Sequence, residues 1–194
     1  MTLYDPINFA LDQNGVVLLP TETVFGLACR ATDPIAINKI YAIKGRGFDK
    51  PLAVCISNLE QAETLGVFNK TARQIAKQYW PGSVTIILKA KSNTGLDPRC
   101  LSGVKGSDSV ALRCPAIEWR DHLKTPLALT SANHSGEPDC VDHGSAVALF
   151  GPEVDAHLET ETVLSGQPST IISIDEIGCH VIRQGTVKLP EFLS

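Results

Sequence analysis

Apolar residues in this chain gather in short runs, and between the runs stand capped stretches of helical period, an arrangement that restricts it to layered folds. Runs over residues 16–19, 52–56, 84–88, 110–113, 127–130, 171–174 and 180–183 have strand length and are too short for helices. Asp5-Pro6 has the form of an N-cap with proline at the first helical position and opens a helix that stops near Asn14-Gly15. Asp33-Pro34 repeats the signal, and Ile37, Ile40, Tyr41 and Lys44 keep helical spacing until Gly45 ends the helix. Ser57-Asn58-Leu59-Glu60 reads as a capping box, and Ala72, Ile75, Ala76 and Tyr79 mark an amphipathic helix that Trp80-Pro81-Gly82 breaks. Further helices are expected near residues 117–123 and 144–150. Strands alternating with helices predict an α/β fold whose sheet is covered on its faces by helices. A length of 194 residues predicts one domain, with a core over about residues 5–187.

Apolar residues at 43% and charged residues at 20%, with no low-complexity tract, exclude a disordered or fibrous chain. The amino-terminal residues lack the features of a secretory signal, and no apolar stretch reaches membrane-span length. A cytoplasmic protein without a membrane partner is therefore expected. Six cysteines without a Cys-x-x-Cys pair, and five histidines away from zinc-ligand spacings, predict reduced thiols and no metal site. A net charge of −4 argues against a general polyanion binder. Lys39, Lys44, Arg46 and Lys50 nevertheless fall close together, opposed only by Asp49. They form either a small anion-binding patch or a solvated helix end favoured by the dipole.

Three segments beyond strand ends carry groups suited to ligands, at the position where such sheets usually bind them. Pro20-Thr21-Glu22-Thr23-Val24-Phe25-Gly26 is read as an extended turn whose hydroxyls and carboxylate suit an amino-acid zwitterion, or equally satisfy the turn's own backbone. Lys44-Gly45-Arg46-Gly47-Phe48-Asp49-Lys50-Pro51 presents fixed cations on a glycine-containing loop, suited to phosphate or carboxylate and unlike a P-loop. Thr130-Ser131-Ala132-Asn133-His134-Ser135-Gly136 offers short donors to phosphate oxygens, although turn-forming composition explains it nearly as well. Arg113 and Arg183 each end an apolar strand and need a partner or water, and Ser169-Thr170 adds two hydroxyls before another. Residues 92–106, rich in Gly, Ser and Lys, read as a loop able to close over a cavity.

In this order, the segments resemble the YrdC/Sua5 family, the threonylcarbamoyl-AMP synthases. The matching pieces are residues 20–27, residues 44–51, Pro81-Gly82-Ser83-Val84-Thr85, Arg113-Cys114-Pro115, residues 131–136, Ser169-Thr170-Ile171 and Arg183-Gln184-Gly185. The resemblance implies a twisted, mixed open sheet flanked by helices, with a concave, positively charged cavity for ATP and L-threonine. It implies that threonine, bicarbonate and ATP, with magnesium on the phosphates and no tightly bound cofactor, give threonylcarbamoyl-AMP, pyrophosphate and water. A separate transferase complex then modifies adenosine 37 of tRNA.

Carried over by position, Thr23, Arg113 and Ser169 resemble threonine contacts. Lys44, Arg46, Lys50, Ser109, Ser131, Asn133, Asp139 and Arg183 resemble nucleotide contacts, with Lys44 and Arg46 as the catalytic cations. Cys55 stands where some relatives place a histidine near threonine. The chain ends shortly after Gly185, as in the single-domain form of the family. Two other readings stand beside this one: a module binding tRNA or double-stranded RNA, and a related acyl-adenylate synthase acting on another carbamoyl substrate.

Overall fold

The structure is a computed structural model that describes residues 2–102 and 108–189. Its strands are β1 (Val17–Pro20), β2 (Phe25–Arg30), β3 (Ala53–Cys55), β4 (Val84–Lys89), β5 (Leu101–Ser102), β6 (Ser109–Arg113), β7 (Leu127–Ser131), β8 (Ala156–His157), β9 (Thr170–Ile174) and β10 (Cys179–Arg183). The helices are α1 (Asp5–Asp12), α2 (Pro34–Lys44), α3 (Leu59–Leu65), α4 (Lys70–Tyr79) and α5 (His143–Phe150). All the strands join one mixed sheet in the order β10-β9-β4-β6-β3-β7-β2-β1-β8, with β5 paired to β6. The seven strands and most of the helices expected from apolar period and capping are present. Residues 118–122, expected as an α-helix, form a 3-10 helix, and the capping of α3 falls on Asn58, whose side chain accepts from Gln61 N. The turn expected over residues 20–26 ends earlier, because Phe25 already begins β2. Of the loop expected over residues 92–106, residues 103–107 lie outside the described residues, and residues 98–102 form a 3-10 turn and β5.

Period two divides the sheet into two faces. Leu18, Leu27, Val54, Ile86, Leu112 and Ile172 point to one face and join the main core with Ile37 and Ile40 of α2, Ile75 of α4 and Phe150 of α5. Val17, Leu19, Ala28, Leu127 and Leu129 point to the other, where Ile7 and Leu11 of α1 and Trp119 cover them. That second cover sits over β1, β2 and β7. On β3, β4, β6 and β9 the same face carries Ala53, Thr85, Ile87, Ala111, Arg113 and Ile171, which line a cavity instead of a core, and the fully buried Cys55 stands at the border of the two.

α2 delivers the cations to this face. Asp33 caps its first turn by accepting from Ile35 N at 2.8 Å and Ala36 N at 3.1 Å. Gly45 ends it at φ +58°, the left-handed region that favours glycine, and Arg46 N donates 3.1 Å to Tyr41 O. Arg46 is thereby fixed by its own backbone as the residue that follows the glycine cap.

Candidate functional site

The cavity on the open half of the sheet has a volume of about 330 Å3. Arg113 lies at its base, with Cys55 and Thr85 as its neighbours in register on β3 and β4. It is 6% exposed, yet its guanidinium is only partly satisfied. Nη2 donates 2.9 Å to Thr23 Oγ1 and lies 3.0 Å from Glu22 Oε1, while Nε has no partner among the described residues. Thr21 and Thr23 hydroxyls are 2.8 Å apart, and Thr21 Oγ1 donates to Val24 O, so the turn satisfies its own backbone and still presents an oxygen to Arg113. On the β4–β9 side Thr85 Oγ1 is 2.9 Å from Ser169 Oγ. Arg183 Nε and Nη2 donate to Ser169 O at 3.2 and 3.0 Å. Burial lowers the Arg183 guanidinium from its ordinary value, and the Asp139 carboxylate opposes that shift. Burial pushes the Cys55 thiol up to about 12, so the wall beside Arg113 is neutral.

A smaller cavity of about 180 Å3 shares Arg46 and Ser131 with the first, and Lys44, Lys50, Asn133, Ser135 and Gly136 complete it. Lys44, 4% exposed, donates to Ser131 O at 2.6 Å, Asn133 O at 2.7 Å and Asn133 Oδ1 at 2.8 Å. These three acceptors occupy all the donors of an ammonium. Lys44 therefore holds the loop after β7 in place and gives it positive charge from beneath. Arg46 Nη1 donates 3.2 Å to Thr130 Oγ1 and Nη2 donates 2.9 Å to Lys50 O, while its buried Nε has no partner among the described residues. The two buried guanidinium nitrogens without a partner among the described residues, Nε of Arg46 and Nε of Arg113, both belong to residues that line the larger cavity. Buried donors left without a partner are costly to the fold.

Over residues 9–185 the sequence matches the Sua5/YciO/YrdC family, described as telomere recombination. The chain belongs to the Sua5/YciO/YrdC family. Within it, the threonylcarbamoyl-AMP synthase of Pyrococcus abyssi is 34% identical over 181 residues, 91% of this chain and 52% of that protein. The threonylcarbamoyl-AMP synthase of Bacillus subtilis is 41% identical over 133 residues, 66% of this chain and 37% of that protein. This chain thus spans about half, or less, of the length of these two relatives. A solved structure of P. abyssi Sua5 complexed with L-threonine superposes with a TM-score of 0.86 at 29% identity, covering 95% of this chain and 55% of that one.

In this Sua5/YciO/YrdC chain, the fold brings Thr23, Arg46, Arg113, Ser131, Asp139, Ser169 and Arg183 around one cavity, and Lys44, Lys50 and Asn133 around its neighbour. Ser109 stands apart from both. It lies on the Arg113 face of β6, further out, with its hydroxyl 2.7 Å from that of Ser102, which does line the larger cavity. Thr85 and Ser102 also line the larger cavity, and Glu22 is the partner of Arg113, roles that the sequence motifs do not assign. Strand period gives Thr85 away, since Val84 and Ile86 are core residues and Thr85 must face the other side. No comparable signal marks Glu22, whose partner is distant in sequence. Among the described residues no group of three or more His, Cys, Asp or Glu side chains is placed to hold a metal, and no helix is long and apolar enough to cross a membrane.

Proposed function

We propose that this chain makes threonylcarbamoyl-AMP and pyrophosphate from L-threonine, bicarbonate and ATP, supplying the activated group for threonylcarbamoylation of tRNA by a separate transferase. The observation that carries the reading is the joining of two unlike cavities through Arg46 and Ser131. One places Arg113 among hydroxyls and apolar walls, suited to a small amino acid. The other is a cationic loop of short donors, suited to phosphates. The naming of the P. abyssi and B. subtilis relatives as threonylcarbamoyl-AMP synthases, and the L-threonine in P. abyssi Sua5, support the same assignment.

In this reading the threonine amine takes up carbon dioxide as a carbamate, and a carbamate oxygen attacks the α-phosphorus of ATP while the bond to pyrophosphate breaks. Two anions must meet, so repulsion is the main barrier. Arg46 and the charge of Lys44 offset it, Ser131 and Asn133 hold phosphate oxygens, and Arg113 with Thr23 and Ser169 orients the amino acid. Magnesium arrives as part of the ATP complex, and Asp139 is the carboxylate available on the cavity wall. No side-chain nucleophile is needed.

The test is pyrophosphate release from ATP with bicarbonate, comparing L-threonine with L-serine, glycine and no amino acid. Threonine-dependent release is expected. Lys44→Ala and Arg46→Ala are each expected to lower turnover by about 30- to 1,000-fold, the loss of about 2–4 kcal/mol of transition-state stabilisation. Absence of release by the folded protein under every condition would overturn the reading and favour a binding module.

A further inference from the structure

Glu22 belongs to a segment rich in ligand-binding groups, yet it lines neither cavity of the site. Its carboxylate lies behind Arg113, where Oε1 is 3.0 Å from Arg113 Nη2 and accepts from Ser83 Oγ at 3.0 Å. Oε2 accepts from Ala116 N at 3.2 Å. Its carbonyl accepts from Ser165 N at 3.1 Å, and that of Thr23 accepts from Gly166 N at 2.9 Å. One residue thus joins the residue before β4, the segment after β6 and the chain leading to Ser169. Ser83 belongs to a sequence motif to which the proposed chemistry assigns no other task.

We propose that Glu22 is the positioning residue for Arg113, and that it sets the charge as well as the orientation of the amino-acid end of the cavity. The inference rests on the threonine reading of that cavity. Glu22 and Thr23 hold Nη2, which fixes the guanidinium plane at the cavity that Arg113 lines. A buried arginine without a counter-ion would take any anion, and ATP and pyrophosphate carry more charge than an amino acid. With Glu22 beside it the pair is neutral, and a zwitterion, itself neutral, binds without adding net charge to a buried space. A phosphate brought to the same arginine meets the Glu22 charge. Glu22 therefore discriminates against the phosphates of the second substrate while acting only through Arg113.

Glu22→Gln and Glu22→Ala test this in threonine-dependent pyrophosphate release, with the melting temperature as the check on folding. The KM for L-threonine is expected to rise about tenfold or more, as for a lost charge-assisted hydrogen bond, while that for ATP stays within about twofold. Inorganic phosphate is expected to compete with threonine in the variants and not in the wild type. Should the Glu22 variants fold poorly, Ser83→Ala removes one donor to the carboxylate and keeps its charge, and a smaller rise in the threonine KM is expected. An unchanged threonine KM, or equal rises for both substrates, overturns the proposal. The Nε–H resonance of Arg113, identified by its loss in Arg113→Lys, gives a readout without turnover. It is expected to shift or broaden in Glu22→Gln, and an unmoved resonance overturns the positioning role. A wild type that releases no pyrophosphate with threonine overturns only the substrate reading.

Discussion

Burial lowers the Lys44 ammonium from the ordinary lysine value of 10.5 to about 8, and the neighbouring Arg46 charge adds to the shift. Its three acceptors need three donors, which only the protonated form supplies. Between these two pH values the unfolded chain keeps a proton that the folded chain has released. Unfolding then takes up a proton, so this group makes stability rise with pH across the window. The charge that favours nucleotide phosphate disappears over the same range. The KM for ATP is therefore expected to increase above about pH 8 while the contribution of Lys44 to stability increases. Matched pH series of ATP kinetics and thermal unfolding, for wild type and Lys44→Met, check the two signs. A high-pH limb that persists unchanged in Lys44→Met would assign it to another group. At this scale the sequence exposes the cation and hides its use. The cluster of Lys44, Arg46 and Lys50 is visible as charge, but the acceptors of Lys44 lie 87 and 89 positions further along the chain. The pairing of Arg113 with Glu22 is concealed for the same reason.

Two glycines at element ends carry the site for different physical reasons. Gly45 has φ +58° and nothing within 4 Å of an added Cβ, so Gly45→Ala meets backbone strain alone. A loss of about 1 kcal/mol is expected from the left-handed conformation. Gly185 faces a crowded backbone, where an added Cβ would lie 2.2 Å from Pro168 O, 2.5 Å from Ser169 C and 2.6 Å from Thr170 N. Gly185→Ala must displace the chain at Ser169, and with it the hydroxyl paired to Thr85 and the carbonyl that receives Arg183. Gly185→Ala is expected to raise the KM for threonine more than Gly45→Ala does, although neither glycine lines either cavity. Kinetics beside melting curves of the two variants check this, and the reverse order would argue against the close approach as the cause. Elements themselves were legible where caps or period announced them, as for α2 from Asp33-Pro34 to Gly45. β2 was not, because five of its six residues are buried and it shows no alternation; Gly26 in its middle also reads as turn. β5 and β8, two residues each, are set by partners rather than by local sequence.

Across the whole molecule, the site follows from unequal covering of the sheet. One face has helices along most of its width, whereas on the other α1 and the 3-10 helix at Glu118–His122 cover only the β1, β2 and β7 side. The uncovered side holds residues that a packed core would reject: Arg113, Thr85 and, on the loops around it, Arg46 and Ser169. Among the described residues the buried Nε of Arg46 and that of Arg113 have no partner, so the fold alone leaves this side incompletely satisfied. Ligands that bind only the folded state stabilise it by mass action, about 2.7 kcal/mol at 100 times Kd. For a chain of this size each kcal/mol shifts Tm by about 2–4 °C, giving about 5–10 °C for one saturating ligand. L-Threonine alone and a non-hydrolysable ATP analogue with magnesium alone are each expected to raise Tm. Because Arg46 and Ser131 belong to both cavities, ordering them for one ligand lowers the cost of binding the other. The shift with both ligands is then expected to exceed the sum of the separate shifts. A merely additive result would mean that the two cavities bind independently, and that the shared residues join them in space without joining them in energy.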